Sequence, residues 1–467
     1  MLKQLLKPLD ENDIFLSTAT EQITWKELDD NLDKKIEKLK EHGIGPHLVF
    51  VIQENDKTTL DDLLWILASI KNGGSASNAE SNMTKKELDF LVRDSNANCV
   101  IRSNNIEIVK DPALGPTILH PNEIFRGMTS GTTVKEMFEI YPYFWTEQEH
   151  YESEVDGKTL LGCTTGSSNR FFLNIAPEMT KDERVFFIQP SGFVSTYSPY
   201  NLLRTYQLGG RLHHLNNGDD IAYEVEKVKP NSLMSFPNAV KRIIDALPEG
   251  KSSIKYFELS GGYTPEPLIR DIERKCNLVA MYNMFASTEM DCVMHSEYRP
   301  GDSLDNFYGF TPPTDTPYDL KIDEGILWYK YGNLDWRTDY DKFTEKDGKW
   351  WYNGRANDDF LIVKQGVKIY TGIIEGIALD VEGVESASSC EEDKLHYLIY
   401  TGDANINQVA SKLEELQRWK RPHEIYHVTD KLYYSGTKVQ RRKLPGIVKS
   451  SDTGIISHMN FKDHNLI

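Results

Sequence analysis

An α/β fold is predicted, with a large N-terminal domain of layered mixed sheets and helices and a small C-terminal α/β domain after a linker candidate at Asn357-Asp358-Asp359. Two observations lead there. Helix and strand signatures alternate along the chain, and that rhythm is interrupted once, by a β-rich stretch, before it resumes. A length of 467 residues is enough for one large domain with a full core plus a smaller one.

The elements follow in order. Thr24 and Glu27 form a capping box, Leu28, Leu32, Ile36 and Leu39 make one apolar stripe, and Gly43 closes that first helix. Leu48-Val49-Phe50-Val51-Ile52 reads as a buried strand. Leu60, Leu63, Leu64, Leu67 and Ile70 give a second helix that ends at Asn72-Gly73. Thr84 and Glu87 cap a third, and Cys99-Val100-Ile101 is the next strand. Later come a strand over 184–188, a helix near 200–208 and a turn at Gly209-Gly210. From Gly301 to Tyr352 the texture becomes aromatic-rich strands punctuated by Gly and Pro. The α/β rhythm returns with a strand at 395–400, a helix through Val409, Leu413 and Leu416, and a strand at 424–428. Residues 448–467 are polar and unpatterned and read as a tail.

Composition narrows the function. No run of some 18 apolar residues appears, so no transmembrane helix is expected. The start, Met1 to Lys7, is too quickly charged for a signal peptide. Five scattered cysteines without a CxxC pair argue against a disulfide framework or structural zinc site, which makes the cytoplasm the expected compartment. A net charge of -18 disfavours nucleic-acid binding. Locally, Arg418, Lys420 and Arg421, then Lys438, Arg441, Arg442 and Lys443, form either a solvated basic face or a surface for phosphates or an acidic carrier protein.

The chemistry-bearing stretch is Met128-Thr-Ser-Gly-Thr-Thr-Val-Lys135. Hydroxyls on Thr129, Ser130, Thr132 and Thr133 around Gly131, with Lys135 behind, can converge with backbone N–H groups on a polyphosphate. Thr164-Thr165-Gly166-Ser167-Ser168 offers similar chemistry. Further along come Gly261-Gly262-Tyr263, Tyr282-Asn283-Met284-Phe285-Ala286-Ser287-Thr288-Glu289, Trp336-Arg337-Thr338-Asp339, Gly354-Arg355, and Gly436-Thr437-Lys438-Val439-Gln440-Arg441. In that order the series resembles the adenylate-forming superfamily of acyl-CoA synthetases, nonribosomal peptide synthetase adenylation domains and luciferases. Family patterns there read TSGTTGxPKG, NxYGxTE, YRTGD, GRxDD and GKxxR. Ile23-Thr24-Trp25-Lys26-Glu27-Leu28 and Ile70-Lys71-Asn72-Gly73-Gly74 are similar to the family's early LTYxEL and LKAGG. The likeness spans about residues 10 to 445. Thr129 to Thr133 match letter for letter, which ranks them above the 164–168 segment.

The resemblance implies an enzyme that joins a carboxylic acid to ATP as acyl-adenylate, releases pyrophosphate, and passes the acyl group to CoA, a carrier-protein thiol or an amine. It also implies the roles of individual residues. Thr129, Ser130, Thr132 and Thr133 grip the β- and γ-phosphates, although Val134-Lys135 replaces the family's Gly-x-Pro-Lys. Gly261 and Gly262 let backbone approach the nucleotide, with Tyr263 beside the adenine. Asn283 bonds the adenine amino group and Phe285, in place of tyrosine, stacks on the purine. Ala286, in place of glycine, narrows the acyl pocket. Thr288 meets the α-phosphate or substrate carboxylate, and Glu289 ligates Mg²⁺. Asp339 accepts from the ribose hydroxyls without the family's preceding glycine, and Arg355 contacts ribose or phosphate. Asp358 or Asp359 is the hinge between a large domain, 1–357, and a small one, 358–447. Lys438 bridges the carboxylate and α-phosphate.

The acid itself is less determined. Members that activate amino acids usually carry an aspartate before the mid-chain Gly-Gly. The segment Gln189 to Tyr197 has none, and Phe193 fits the aromatic option of acyl- and aryl-CoA synthetases. A small-molecule substrate, a carboxylic acid without a free α-amine, is therefore expected, with an amino acid as the alternative. His213-His214 reads as an edge-strand pair. The rival reading, a nucleotide-binding sensor or scaffold without turnover, draws on the two departures from the family's glycine pattern.

Overall fold

The computed structural model describes all residues except 1–3, 54–56, 80–84, 116–122, 129–139, 145–149, 156–157, 165–172, 174, 182, 191–196, 217, 251, 261–263, 265, 288–290, 313–317, 332–334, 339–340, 356–359, 364–366, 380, 393–394, 417–419, 430–443, 452 and 462–467. The chain forms two compact units, one drawn mainly from residues 1–356 and the other mainly from 357–467.

The larger unit begins as its sequence dictates. Thr24 and Glu27 make the reciprocal capping box of helix Trp25–Glu41, whose Leu28, Leu32, Ile36 and Leu39 are buried. Gly43 ends the helix at φ +73, its N–H donating to the Lys40 carbonyl. A second capping box, Thr59 with Asp62, starts helix Leu60–Lys71. Its third residue is Asp where the usual pattern has Glu or Gln, which hid it from sequence reading.

Two eight-stranded sheets organise this unit. The first runs in the order Asp291–Tyr298, Ala280–Ser287, Tyr256–Ser260, Ser232–Ser235, Phe186–Gln189, Arg211–His214, Ile14–Ser17, Gln22–Thr24. Its six central strands are parallel, and each edge is closed by an antiparallel strand. The second runs Asn105–Ile108, Cys99–Arg102, Leu48–Ile52, Ser75–Ala79, Glu123–Met128, Ile140–Phe144, Lys158–Thr164, His150–Val155. One buried cluster joins Leu16, Phe187 and Leu212 of the first sheet with Val49, Val51 and Phe125 of the second, and with Leu32, Leu63, Trp65 and Leu203 from helices. On the other face of the first sheet, Leu233, Phe257, Leu259 and Met281 pack against Val225, Ile243, Ile244, Leu268 and Ile272. Burial on both faces explains the near-continuous apolar strands.

Glycine is required at one turn of this sheet. Gly209 has φ +62, and a Cβ there would stand 2.5 Å from the Lys7 backbone. At Gly210 a Cβ would stand 2.5 Å from the Val185 carbonyl oxygen. The strand that follows, Arg211–His214, lies between Phe186–Gln189 and Ile14–Ser17. His213-His214 is thus an interior pair, not the edge pair expected. Both rings are buried, which a polar dipeptide did not signal.

A five-stranded antiparallel sheet occupies the aromatic stretch, in the order Gly309–Phe310, Lys349–Arg355, Asp341–Lys346, Ile326–Tyr331, Tyr318–Asp323. Phe310, Leu327, Tyr329, Phe343 and Trp350 form its core, with Met294 and Phe285.

The smaller unit holds a two-stranded pair, Phe360–Val363 with Val367–Tyr370, and a four-stranded sheet in the order Val384–Glu392, Leu395–Gly402, Glu424–Val428, Ile455–Asn460. Ile374, Leu398, Val409, Leu413, Leu416 and Ile425 make its core. The stretch 448–467, expected as a tail, supplies the last of those strands, and Val448 is buried in helix Leu444–Ser450. That strand is mostly exposed, so it carries no apolar alternation to read. The basic run is also partly internal. Lys420 is buried, and Arg421 donates to the carbonyls of Leu416 and Glu414.

Candidate active site

The first sheet has a switch point. From Phe186–Gln189 the chain passes through helix Tyr197–Gln207 to Arg211–His214 on one side. From the adjacent Ser232–Ser235 it passes through helix Pro237–Ala246 to Tyr256–Ser260 on the other. Open α/β sheets bind ligands beyond the carboxyl ends of their strands at such a point. Three of the expected site segments follow the carboxyl ends of parallel strands here. Phe193 comes after Phe186–Gln189, Gly261-Gly262-Tyr263 after Tyr256–Ser260, and Thr288-Glu289 after Ala280–Ser287.

Those residues lie outside the described ones, as do Thr129, Ser130, Gly131, Thr132, Thr133, Lys135, Asp339, Asp358, Asp359 and Lys438. Asn283, Phe285, Ala286 and Arg355 lie in described strands.

Asn283 pairs in register with Leu259 on one side and Ser296 on the other. Its Nδ2 donates to the Phe307 carbonyl at 3.0 Å, and the Ser296 hydroxyl donates to the same oxygen at 2.5 Å. With the amide nitrogen committed, the side-chain oxygen is the group left to accept from a ligand. Phe285, two residues on and hence on the same face of the strand, packs among aromatic rings. Its centroid lies 5.0 Å from Phe343, 6.0 Å from Phe310 and 5.8 Å from Tyr352, and it stays partly exposed. Register shifts between Phe285 and Ala286, a bulge of the kind that re-aims side chains beside a site. Tyr282, on the opposite face, is buried and donates to Glu178, which also accepts from Arg299.

The Trp-Arg-Thr part of the third motif is tied to strand Ile326–Tyr331. The Thr338 hydroxyl donates to the Leu327 carbonyl at 2.7 Å, and Arg337 exchanges backbone bonds with Tyr329. Lys321 stands 4.7 Å from the Trp336 ring. Two positions past Asp339, Asp341 opens strand Asp341–Lys346, is buried, and is the register partner of Arg355. Sequence reasoning passed over it. The signal was present, because the motif lacks its glycine and two carboxylates therefore stand near the expected place.

Sequence reasoning also missed Ser296 and a buried ion pair, Arg204 with Glu258, at 3.1 Å under the switch point. Elsewhere, Cys99, Cys276 and Cys390 are buried. No described helix is long and apolar enough to cross a membrane, and no group of metal-ligating side chains occurs among the described residues.

No protein-family model matches the chain. It is 19% identical over 474 residues to a Staphylococcus aureus protein named as a long chain fatty acid-CoA ligase, VraA, covering 93% of this chain and 94% of that one. Among solved structures it is similar to o-succinylbenzoate CoA synthetase (MenE) from Bacillus subtilis, at 15% identity and TM-score 0.69, covering 96% of this chain and 97% of that one. The same Bacillus enzyme bound to ATP and a magnesium ion matches at 14% identity and TM-score 0.57, over 94% and 96% of the two chains. An amide bond synthetase from Marinactinospora thermotolerans matches at 13% identity and TM-score 0.67, over 94% and 98%. The fold is the one these solved CoA synthetase and amide bond synthetase structures share.

Proposed function

We propose that this chain, with the fold of the adenylate-forming enzymes, is an ATP-dependent acid–thiol ligase. It activates a carboxylic acid as acyl-adenylate and transfers the acyl group to CoA. The observation that carries this reading is the switch point, because the segments with Phe193, Gly261-Gly262-Tyr263 and Thr288-Glu289 each follow the carboxyl end of a parallel strand of that sheet.

In the first step a carboxylate oxygen attacks the α-phosphorus and pyrophosphate leaves. Catalysis rests on holding the reactants in line and neutralising phosphate charge. Thr129, Ser130, Thr132, Thr133 and Lys135 hold the β- and γ-phosphates around Gly131. Asn283 accepts from the adenine amino group, Phe285 and Tyr263 flank the base, and Gly261-Gly262 lets backbone come close. Asp339 or Asp341 accepts from the ribose, and Arg355 adds a positive charge. Thr288 positions the α-phosphate, Glu289 offers a hard oxygen donor for Mg²⁺, and Lys438 joins the carboxylate to the phosphate. Phe193 and Ala286 line the acyl side. In the second step a thiol loses its proton, attacks the acyl carbonyl and expels AMP. Residues 358–447 act as a lid hinged at Asp358 or Asp359. A carrier-protein thiol and an amine are the competing acceptors, the amine having a precedent in the amide bond synthetase. The cytoplasm remains the proposed compartment.

Pyrophosphate–ATP exchange over a panel of acids, followed by acyl transfer from the bound adenylate to CoA, tests the reading. Exchange with at least one acid and CoA-dependent release of AMP are expected. ATP binding without exchange for any acid would overturn it.

A further inference from the structure

A polar seam crosses the first sheet beneath the switch point. Register pairs His214 with Gln189 and Glu258 with Met234 and Tyr282. Gln189 and Met234 each stand one residue past the registered pair Ile188 and Leu233. Cross-strand partners share a face, so His214, Gln189, Met234, Glu258 and Tyr282 form one row. The same face also carries the apolar Phe187, Leu212 and Met284. Helix Tyr197–Gln207 lies over the row. Asn201 bonds Gln189, and Arg204 reaches both carboxylate oxygens of Glu258, at 3.1 and 3.2 Å, with the Tyr200 ring 4.4 Å from its guanidinium.

The seam does not satisfy itself. Gln189, Asn201 and His214 are each 1% exposed or less, yet Gln189 Nε2, Asn201 Oδ1 and His214 Nδ1 have no hydrogen-bond partner among the described residues. Turning both amides over changes nothing, because one Gln189–Asn201 bond always leaves one NH₂ group and one carbonyl oxygen unspent. Buried polar groups in native proteins nearly always have partners, so three in one cluster call for an occupant. Gln189 also ends the strand that runs directly into the segment carrying Phe193.

We propose that this seam is the distal end of the acyl pocket, and that it selects an acid carrying a neutral hydrogen-bonding group, a hydroxyl or a carboxamide, over a plain hydrocarbon acid. The inference rests on the ligase reading. Neutrality follows from charge matching, since Glu258 already balances Arg204, the one cation among the described residues of the seam. Burial also holds His214 uncharged near neutral pH, its pKa lowered to about 3. A group that both donates and accepts completes Gln189 and Asn201 together.

The test uses the full chain in pyrophosphate–ATP exchange with acids matched in length and ending in methyl, hydroxyl, carboxamide or carboxylate. The hydroxyl or carboxamide acid should exceed its methyl counterpart in kcat/KM by about 10²-fold or more, since a site built for hydrogen bonds rejects analogues lacking them. Gln189→Leu should bring that ratio towards one. Equal or better use of the methyl acid by the unaltered chain overturns the proposal, and so does preference for the carboxylate. That ratio needs no variant, so a Gln189→Leu chain that fails to fold does not rescue the idea. A crystal structure with an acyl-adenylate analogue in which an ordered water, and no ligand atom, joins Gln189 to Asn201 overturns it as well. Absence of exchange with every acid is a separate result. It sinks the ligase reading, and the seam proposal falls with it.

Discussion

Asn283 and Ser296, partners across an antiparallel register, donate to one and the same carbonyl, that of Phe307. Two donors on one oxygen pin a helix end to the strand and fix which way the asparagine amide is turned. Ser296 is therefore a positioning residue for Asn283. Ser296→Ala should raise the KM for ATP about 2- to 10-fold, the equivalent of one hydrogen bond, with kcat little changed. Ser296→Thr should restore it. A loss of kcat at unchanged KM would contradict the assignment.

The proposed function gives Lys438 and Glu289 different parts in the first half-reaction. Lys438→Ala should slow acyl-adenylate formation by about 10²–10³-fold, as removal of a transition-state contact does, while supplied acyl-adenylate is still consumed by the acceptor. Glu289→Ala should impair the same step but raise the Mg²⁺ concentration required. Single-turnover measurement of each half-reaction over a Mg²⁺ series separates the two. Unchanged pyrophosphate release in Lys438→Ala would remove that residue from the site.

Asp339 and Asp341 are the two candidates for the ribose acceptor under the proposed function. Asp339→Asn and Asp341→Asn each keep size and remove charge, so the variant that raises the KM for ATP identifies the acceptor. Asp341 is buried, and its variant should also lower the thermal midpoint. If neither changes the KM for ATP, the Trp-Arg-Thr-Asp motif plays no part in nucleotide binding.

His214 ties stability to pH. Burial is the larger cause and the neighbouring His213 the smaller in lowering its pKa from 6.5 to about 3. Between those values the unfolded chain takes up a proton that the folded one refuses. Its contribution is therefore present above pH 6.5 and is lost as the pH falls towards 3. The loss is on the order of 5 kcal/mol at the acid end. His214→Gln, which cannot titrate, should lose less stability than the unaltered chain between pH 6.5 and 4 in denaturant unfolding. Parallel curves would show that the ring is protonated without penalty.

Much of the fold was legible because its signals are local. The apolar stripe from Leu28 to Leu39, its Thr24–Glu27 box and the run Leu48 to Ile52 appear in the structure as read. The aromatic interlude became a separate antiparallel sheet for the same reason. What escaped depends on contacts distant in sequence. The ion pair of Arg204 with Glu258 joins residues 54 apart, and nothing local links the two. Strand Ile455–Asn460 owes its place to backbone pairing with Glu424–Val428, and backbone bonds carry no residue signature. At the candidate site, Asn283 and Phe285 were legible as a spaced motif, whereas Ser296 and Asp341 become visible only through strand register.

Strand Ile455–Asn460 also bears on how the chain can be shortened. It covers the outer side of Glu424–Val428, stacks His458 on Tyr426 at 4.3 Å, and brings Met459 and Phe461 against the apolar cluster. Ending the polypeptide at residue 447 would strip those backbone groups of their partners and leave Glu424–Val428 as a bare sheet margin, ready to recruit a strand from another molecule. A truncated protein should therefore be lost to aggregation before any question of catalysis arises, and affinity tags belong beyond Phe461 rather than in place of what precedes it.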